Sequence, residues 1–179
     1  MTVYRLIVLR HAKSDWGLPA LNDHSRPLSA RGVTDAPKVG AALLARGWAP
    51  QVVVASDARR TRDTWEFMSA AFTSPIGAYF EAALYLGGGR RLVRAAKGIP
   101  DDVVCAMLLG HNPDCEEAVS YLCGAVEHLG TTNAVLLETD AKSWDDAVGR
   151  PGGWELVDIL RPKSLGGAPA GGYPRGHGR

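Results

Sequence analysis

Val3-Tyr4-Arg5-Leu6-Ile7-Val8-Leu9 runs straight into Arg10-His11-Ala12-Lys13-Ser14. Later in the chain, Val103-Val104-Cys105-Ala106-Met107-Leu108-Leu109 runs into Gly110-His111-Asn112-Pro113. Both apolar runs are short and rich in Val, Ile and Leu, as strands covered on both faces are. Each stops, and a histidine follows. Ligands of open parallel sheets sit beyond the carboxyl ends of the strands, so two such strands can turn their histidines into one pocket.

Outward from these two runs, strand and helix patterns alternate. Ser29 is placed to cap a helix from Ala30 to Arg46 that ends at Gly47. Pro37 removes an internal hydrogen bond from that span, so a late start or a kink is expected. Gln51–Ala55 reads as a second strand, and Ser56 or Asp57 as the cap of a helix reaching Phe72. Ala78–Glu81 reads as an edge strand, Arg90–Lys97 as a short helix after Gly87-Gly88-Gly89, and Asp114–Leu122 as a helix ending near Gly124. Ala134–Glu138 and Trp154–Leu160 read as later strands joined by a turn-rich stretch. This alternation predicts an α/β fold, a three-layer α/β/α sandwich on a mostly parallel, doubly wound central sheet. Residues 1–165 read as one domain, and the Gly/Pro-rich residues 166–179 as a disordered tail.

The bulk properties narrow the function classes. The chain has 179 residues, 46% of them apolar and 22% charged, with a formal net charge of +1. Such a balance predicts no nucleic-acid and no membrane partner, and any electropositive site must be local. No apolar stretch reaches the ~18–20 residues that span a bilayer, and Met1-Thr2-Val3-Tyr4 enters a strand without a signal-peptide pattern. Cys105, Cys115 and Cys123 lack metal-site spacing and read as buried thiols of a reducing compartment, so the expected location is cytoplasmic.

Three segments carry chemistry. Arg10-His11 sets a guanidinium, whose rigid fork of donors suits phosphate oxygens, beside an imidazole that can act as a nucleophile. Ser56-Asp57-Ala58-Arg59-Arg60-Thr61-Arg62-Asp63-Thr64 places arginines at a helix start, where backbone N–H groups also attract anions. Gly110-His111-Asn112-Pro113 adds a second imidazole. Together they describe a phosphate site.

In these segments the chain resembles the histidine phosphatase superfamily, a phosphoglycerate mutase-like group. The carriers are Leu9-Arg10-His11-Ala12, Ser56-x3-Arg60-x3-Thr64 and Gly110-His111-Asn112-Pro113, in that order. His-Ala-Lys-Ser-Asp after Arg10, Asp23-x2-Arg26-Pro27-Leu28-Ser29 and Leu84-Tyr85-Leu86 are similar to the small SixA-type phosphohistidine phosphatases. The resemblance implies that His11 is the nucleophile that takes the phosphoryl group. It further implies that Arg10 and Arg60 clamp the phosphoryl oxygens and that His111 stabilises the transition state. Among Arg59, Arg60 and Arg62, the family spacing selects Arg60. Arg26, Ser14, Lys13 and Arg62 are candidates for substrate binding. His24 and His128 read as surface residues, and the five tryptophans mostly as packing.

Many superfamily members that hydrolyse phosphate esters carry an acidic general acid near the pocket, between the second arginine and the second histidine. Glu81 is the residue in that stretch here, without the usual motif around it. An alkoxide leaving group needs a proton in the transition state, worth ~10²–10⁴-fold, whereas the imidazole of phosphohistidine leaves with less help. The expected activity is therefore that of a metal-independent phosphatase, without cofactor, acting on phosphohistidine of signalling or phosphotransfer proteins. Its rivals are a small-molecule phosphomonoesterase with Glu81 as the acid and a non-catalytic phospho-binding module.

Overall fold

The computed structural model describes residues 1–166, so the tail read above lies, from residue 167 on, outside the described residues. Six strands form one sheet: β1 (Thr2–Arg10), β2 (Val52–Ser56), β3 (Gly77–Glu81), β4 (Cys105–Gly110), β5 (Ala134–Ala141) and β6 (Glu155–Leu160). Their order is β3-β2-β4-β1-β5-β6. β3, β2, β4 and β1 are mutually parallel, while β5 runs antiparallel to both β1 and β6.

Alternation along the central strands divides the apolar residues between two cores. Tyr4, Leu6 and Val8 of β1 point to one face, Ile7 and Leu9 to the other. On the first face lie α3 (Gly89–Ala95), α4 (Asp114–Cys123) and α5 (Trp144–Gly149), through Leu92, Val93, Val119, Leu122 and Trp144. On the second lie α1 (Ala30–Ala45) and α2 (Arg59–Ser69), through Val39, Leu43, Trp65 and Met68. This is the three-layer α/β/α arrangement expected, and it accounts for the central strands reading as unbroken apolar runs.

Several expected boundaries change for physical reasons. α1 starts at Ala30 despite Pro37: the Ser29 hydroxyl accepts the Gly32 N–H at 3.3 Å and donates to the Lys13 carbonyl at 3.1 Å. Gly32 also permits this approach, since a Cβ there would stand 2.2 Å from the Lys13 oxygen. α2 has no side-chain cap: its N-cap is Ala58, because Ser56 still belongs to β2 and its hydroxyl meets His111, while the Asp57 carboxylate meets His24. α2 also stops at Ser69 rather than Phe72, which follows in a turn. The turn-rich stretch between the last two strands contains α5, capped by the Ser143 hydroxyl on the Asp146 N–H at 3.1 Å.

Candidate active site

The sheet register brings the two histidines together. Leu9 pairs with Leu109 and Arg10 with Gly110 on adjacent parallel strands, so His11 and His111 leave the sheet side by side. Their ring centroids are 5.2 Å apart, close to the strand spacing itself. β2, on the other side of β4, ends beside them at Ser56.

The two imidazoles are held by opposite nitrogens. His11 Nδ1 is 2.7 Å from the Ala12 carbonyl oxygen. A carbonyl only accepts, so Nδ1 carries the proton and Nε2 presents its lone pair, toward which Arg60 Nε donates at 3.3 Å. His111 Nε2 is 2.8 Å from Ser56 Oγ. That oxygen accepts the Ala58 N–H at 3.3 Å, and among the described residues the buried hydroxyl proton meets no acceptor other than His111 Nε2, to which it is donated. His111 Nδ1 then carries the N–H, and it is buried without a partner.

Burial sets the charge of both rings. Only 7% of His11 and 2% of His111 is exposed. Desolvation pushes the His11 pKa well below the usual imidazole value, opposed by its hydrogen bond to Ala12 and reinforced by His111, Arg60 and Arg10. His111 is pushed down to about 3 by burial first and by Arg60 second. Both rings are therefore neutral at pH 7, the form in which His11 Nε2 has an available lone pair.

Each side chain of Ser56-x3-Arg60-x3-Thr64 has a separate task. Ser56 holds His111, as above. Arg60 and Thr64, one helical turn apart on α2, face the same way. Arg60 reaches His11, and Thr64 Oγ1 accepts the Ala12 N–H at 2.9 Å while donating to the Arg60 carbonyl at 2.6 Å. The loop that carries the candidate nucleophile is thus tied to the helix that carries the arginine.

A loop closes the site from above. Asn22 caps a 3-10 turn over Asp23–Ser25, and this turn sets Asp23 among cations. Arg60 Nη1 donates to the Asp23 carbonyl oxygen at 2.7 Å, and Arg60 Nη2 to its carboxylate at 3.1 Å. Arg26 donates to the other carboxylate oxygen through Nη2 at 2.7 Å and Nε at 3.0 Å, and to Ser14 Oγ through Nη1 at 2.7 Å. The Tyr85 hydroxyl donates to the Asp23 carboxylate at 2.5 Å. Tyr85 first, then Arg26 and Arg60, outweigh partial burial and hold Asp23 well below the usual carboxylate range.

Both histidines, Asp23, Arg26 and Arg60 line a cavity of about 370 Å³. Of the residues singled out in the sequence, Arg10, His11, Arg60, His111, Arg26, Ser14 and Lys13 all line it. Arg10 Nη1 is anchored on the Leu129 carbonyl at 2.8 Å, and its buried Nε has no partner. Two expected residues are elsewhere. Glu81 ends the edge strand β3 and lines other surface hollows beside α3, not this one. Arg62 donates to the Asp57 carbonyl at 3.0 Å and lies over the Phe80 ring, because two residues beyond Arg60 a helix points away from it. Conversely, sequence reasoning passed over Asp23, Tyr85, Trp16 and Ser56 as site residues. Trp16 is 71% exposed and stacks its ring 3.5 Å from the Arg26 guanidinium at the rim. His24, read as a surface residue, donates through Nε2 to the Asp57 carboxylate at 2.8 Å and packs edge-on against Tyr85.

With the geometry in view, comparison with known proteins is informative. The sequence model of the histidine phosphatase superfamily (branch 1) matches residues 6–79. An uncharacterized chloroplastic protein of Arabidopsis thaliana is 40% identical over 171 residues, covering 89% of this chain and 78% of its own. A SixA protein of Agrobacterium tumefaciens, assigned as a phosphohistidine phosphatase, superposes with a TM-score of 0.75 at 25% identity, covering 89% of this chain and 98% of its own. A SixA protein of Nakamurella multipartitia, assigned likewise, gives 0.76 at 26% identity, covering 90% and 98%.

Proposed function

The chain belongs to the histidine phosphatase superfamily and is SixA-like in structure, and from that premise we propose a phosphatase working through a phospho-His11 intermediate on phosphohistidine of signalling or phosphotransfer proteins. One observation carries the choice of substrate: the state of Asp23. It is the sole carboxylate among the residues lining the cavity, and Tyr85, Arg26 and Arg60 keep it ionised. A carboxylate held as an anion has no proton to give. An alkoxide would have to leave unprotonated, whereas the imidazole of a phosphohistidine leaves readily.

The chemistry then takes two displacements. His11 Nε2 attacks phosphorus, its bond to phosphorus forms as the bond to the substrate imidazole breaks, and that imidazole takes a proton from solvent. Water then attacks phospho-His11, and inorganic phosphate departs with His11 restored. Arg10, Arg60 and the Nδ1–H of His111 hold the equatorial oxygens, where charge is spread in the transition state. In this reading arginines supply the positive charge that a metal ion supplies elsewhere. Displacing Asp23 from Arg60 frees that guanidinium for the phosphoryl group.

A cytoplasmic, reducing site of action belongs to the same proposal. It is supported by three unpaired thiols, Cys105, Cys115 and Cys123, with burial pushing the first two up to about 12. No helix among the described residues is long and apolar enough to cross a membrane.

The test is a rate comparison on a phosphohistidine protein, a phosphoserine peptide and a sugar phosphate. The proposal expects the phosphohistidine protein to be favoured by at least ~10²-fold, the worth of a missing general acid. A sugar phosphate cleaved faster than any phosphohistidine would overturn it in favour of a small-molecule phosphomonoesterase.

A further inference from the structure

A second cavity, of about 560 Å³, adjoins the first and shares Arg10, Lys13 and Thr131 with it. Beyond that shared wall its cations are Arg31, Arg161 and Lys163. No aspartate or glutamate lines it. For a chain with a net charge of +1, five Lys and Arg around one hollow is a marked local excess. Arg31 is hydrogen-bonded to Asp35 at 3.2 Å and Arg161 faces Glu127 at 3.5 Å, both carboxylates lying outside the lining. Among the described residues neither Lys13 nor Lys163 has a carboxylate partner.

The wall between the cavities is fixed rather than pliable. Thr132 sits at φ 62°, a conformation unfavourable for a β-branched residue. Its N–H reaches the carbonyls of Arg10 and His11, both at 3.1 Å. The strained residue thus locks the loop bearing Thr131 to the backbone of the candidate nucleophile. A ligand group in the second cavity is consequently held at a set position relative to a phosphoryl group on His11.

We infer that this groove is an anion subsite for a second acidic group of the same substrate, on the far side of Arg10 from the scissile phosphoryl. The inference rests on the phosphohistidine-protein reading above, and the acidic groups it takes are Asp or Glu carboxylates flanking the phosphorylated histidine. Clustered cations facing carboxylates steer encounter and fix orientation more than they add raw affinity. The sequence had offered Arg62, on the helix that also carries Arg59, as a candidate for substrate binding. Arg62 instead donates to the Asp57 carbonyl at 3.0 Å and Arg59 faces Asp63 at 3.6 Å, so the cations open to a further acidic group are those of the groove.

The experiment uses three substrates with the full-length protein: free phosphohistidine, a phosphohistidine peptide with flanking Asp and Glu, and the same peptide with Asn and Gln instead. The wild type should favour the acidic peptide by about 10-fold in kcat/KM at low salt, and the preference should shrink as salt rises. Lys163→Glu and, separately, Arg161→Gln should bring the two peptides close to parity while leaving free phosphohistidine unchanged. Equal rates on both peptides in the wild type, or a preference that survives both substitutions, overturns the subsite. If the wild type cleaves only an ordinary phosphate ester, the phosphohistidine reading has failed on its own. The groove is then judged on that ester with and without a second phosphate: a preference for the doubly charged form that Lys163→Glu removes upholds the subsite, and parity overturns it.

Discussion

At the end of β1, His11 turns Nδ1 onto a backbone carbonyl and leaves Nε2 facing Arg60. One strand over and in register, at the end of β4, His111 turns Nε2 onto a serine hydroxyl and leaves Nδ1 unpartnered. Position in the sheet is the same for both, and so is neutrality. What differs is the group that pins each ring. A carbonyl fixes one tautomer with a lone pair aimed outward; a buried hydroxyl whose proton meets no other acceptor among the described residues fixes the other, with an N–H outward. Side by side, the two strand ends thus present one nucleophile and one hydrogen-bond donor, a division that the residue type histidine does not announce.

The largest effects should come from removing the rings themselves, and they should be unequal. His11→Ala removes the atom that bonds phosphorus, so turnover should fall by ~10⁴-fold or more, as when a covalent nucleophile is lost. Wild type quenched and denatured in alkali, where a phosphoramidate survives, should carry labelled phosphate and the variant none. His111→Ala removes one donor to a developing anion, a loss of ~10²–10³-fold in kcat. His111→Gln, which keeps an N–H, should recover part of it. Equal losses in the two alanine variants would erase the asymmetry inferred from the tautomers.

A gentler change tests the pin itself. Ser56→Ala leaves both rings in place but frees the tautomer of His111 and orphans its buried Nε2. The expected loss is about 10-fold in kcat, with roughly 1–2 kcal/mol of stability from the unsatisfied polar atom. Ser56→Thr, which retains the hydroxyl, should behave more like wild type. Full activity in Ser56→Ala would mean that something other than Ser56 orients the ring.

Legibility followed the same physical lines. β1 and β4 were readable because both of their faces are buried, which removes any helical period and leaves an abrupt stop where the chain meets solvent. Arg10, His11 and His111 were readable because that stop is where ligands sit, and Arg60 because family spacing chose it among three arginines. Asp23 was not, since it arrives on a loop with no periodicity to follow; only the Asp23–Arg26 spacing, an i, i+3 ion pair at 2.7 Å, offered a hint. Glu81 stood in the expected interval of sequence, yet its strand lies at the edge of the sheet, away from the cavity. α5 escaped because six residues are too few for a clear period, and its stability comes from tertiary burial of Trp144. Ser143 three residues before Asp146 was its one local signal.

The smallest effect predicted concerns stability, and it separates the site from the protein surface. An unfolded imidazole protonates near 6.5, whereas folded His111 does so at about 3 and folded His11 also well below 6.5. Between those values the unfolded chain binds more protons than the native one, so unfolding becomes easier as pH falls and harder as it rises. Above pH 6.5 both states hold neutral rings and the contribution is complete. For His111 alone, lowering the pH from 6.5 to 5.5 should remove about 1 kcal/mol. His111→Phe should flatten that part of the urea-melt profile by this amount, whatever surface carboxylates do, since they titrate alike in both proteins. Inorganic phosphate should oppose the loss, because an anion beside His111 favours the charged ring that burial disfavours. Identical slopes in wild type and variant, with phosphate absent, would show that burial does not hold His111 neutral.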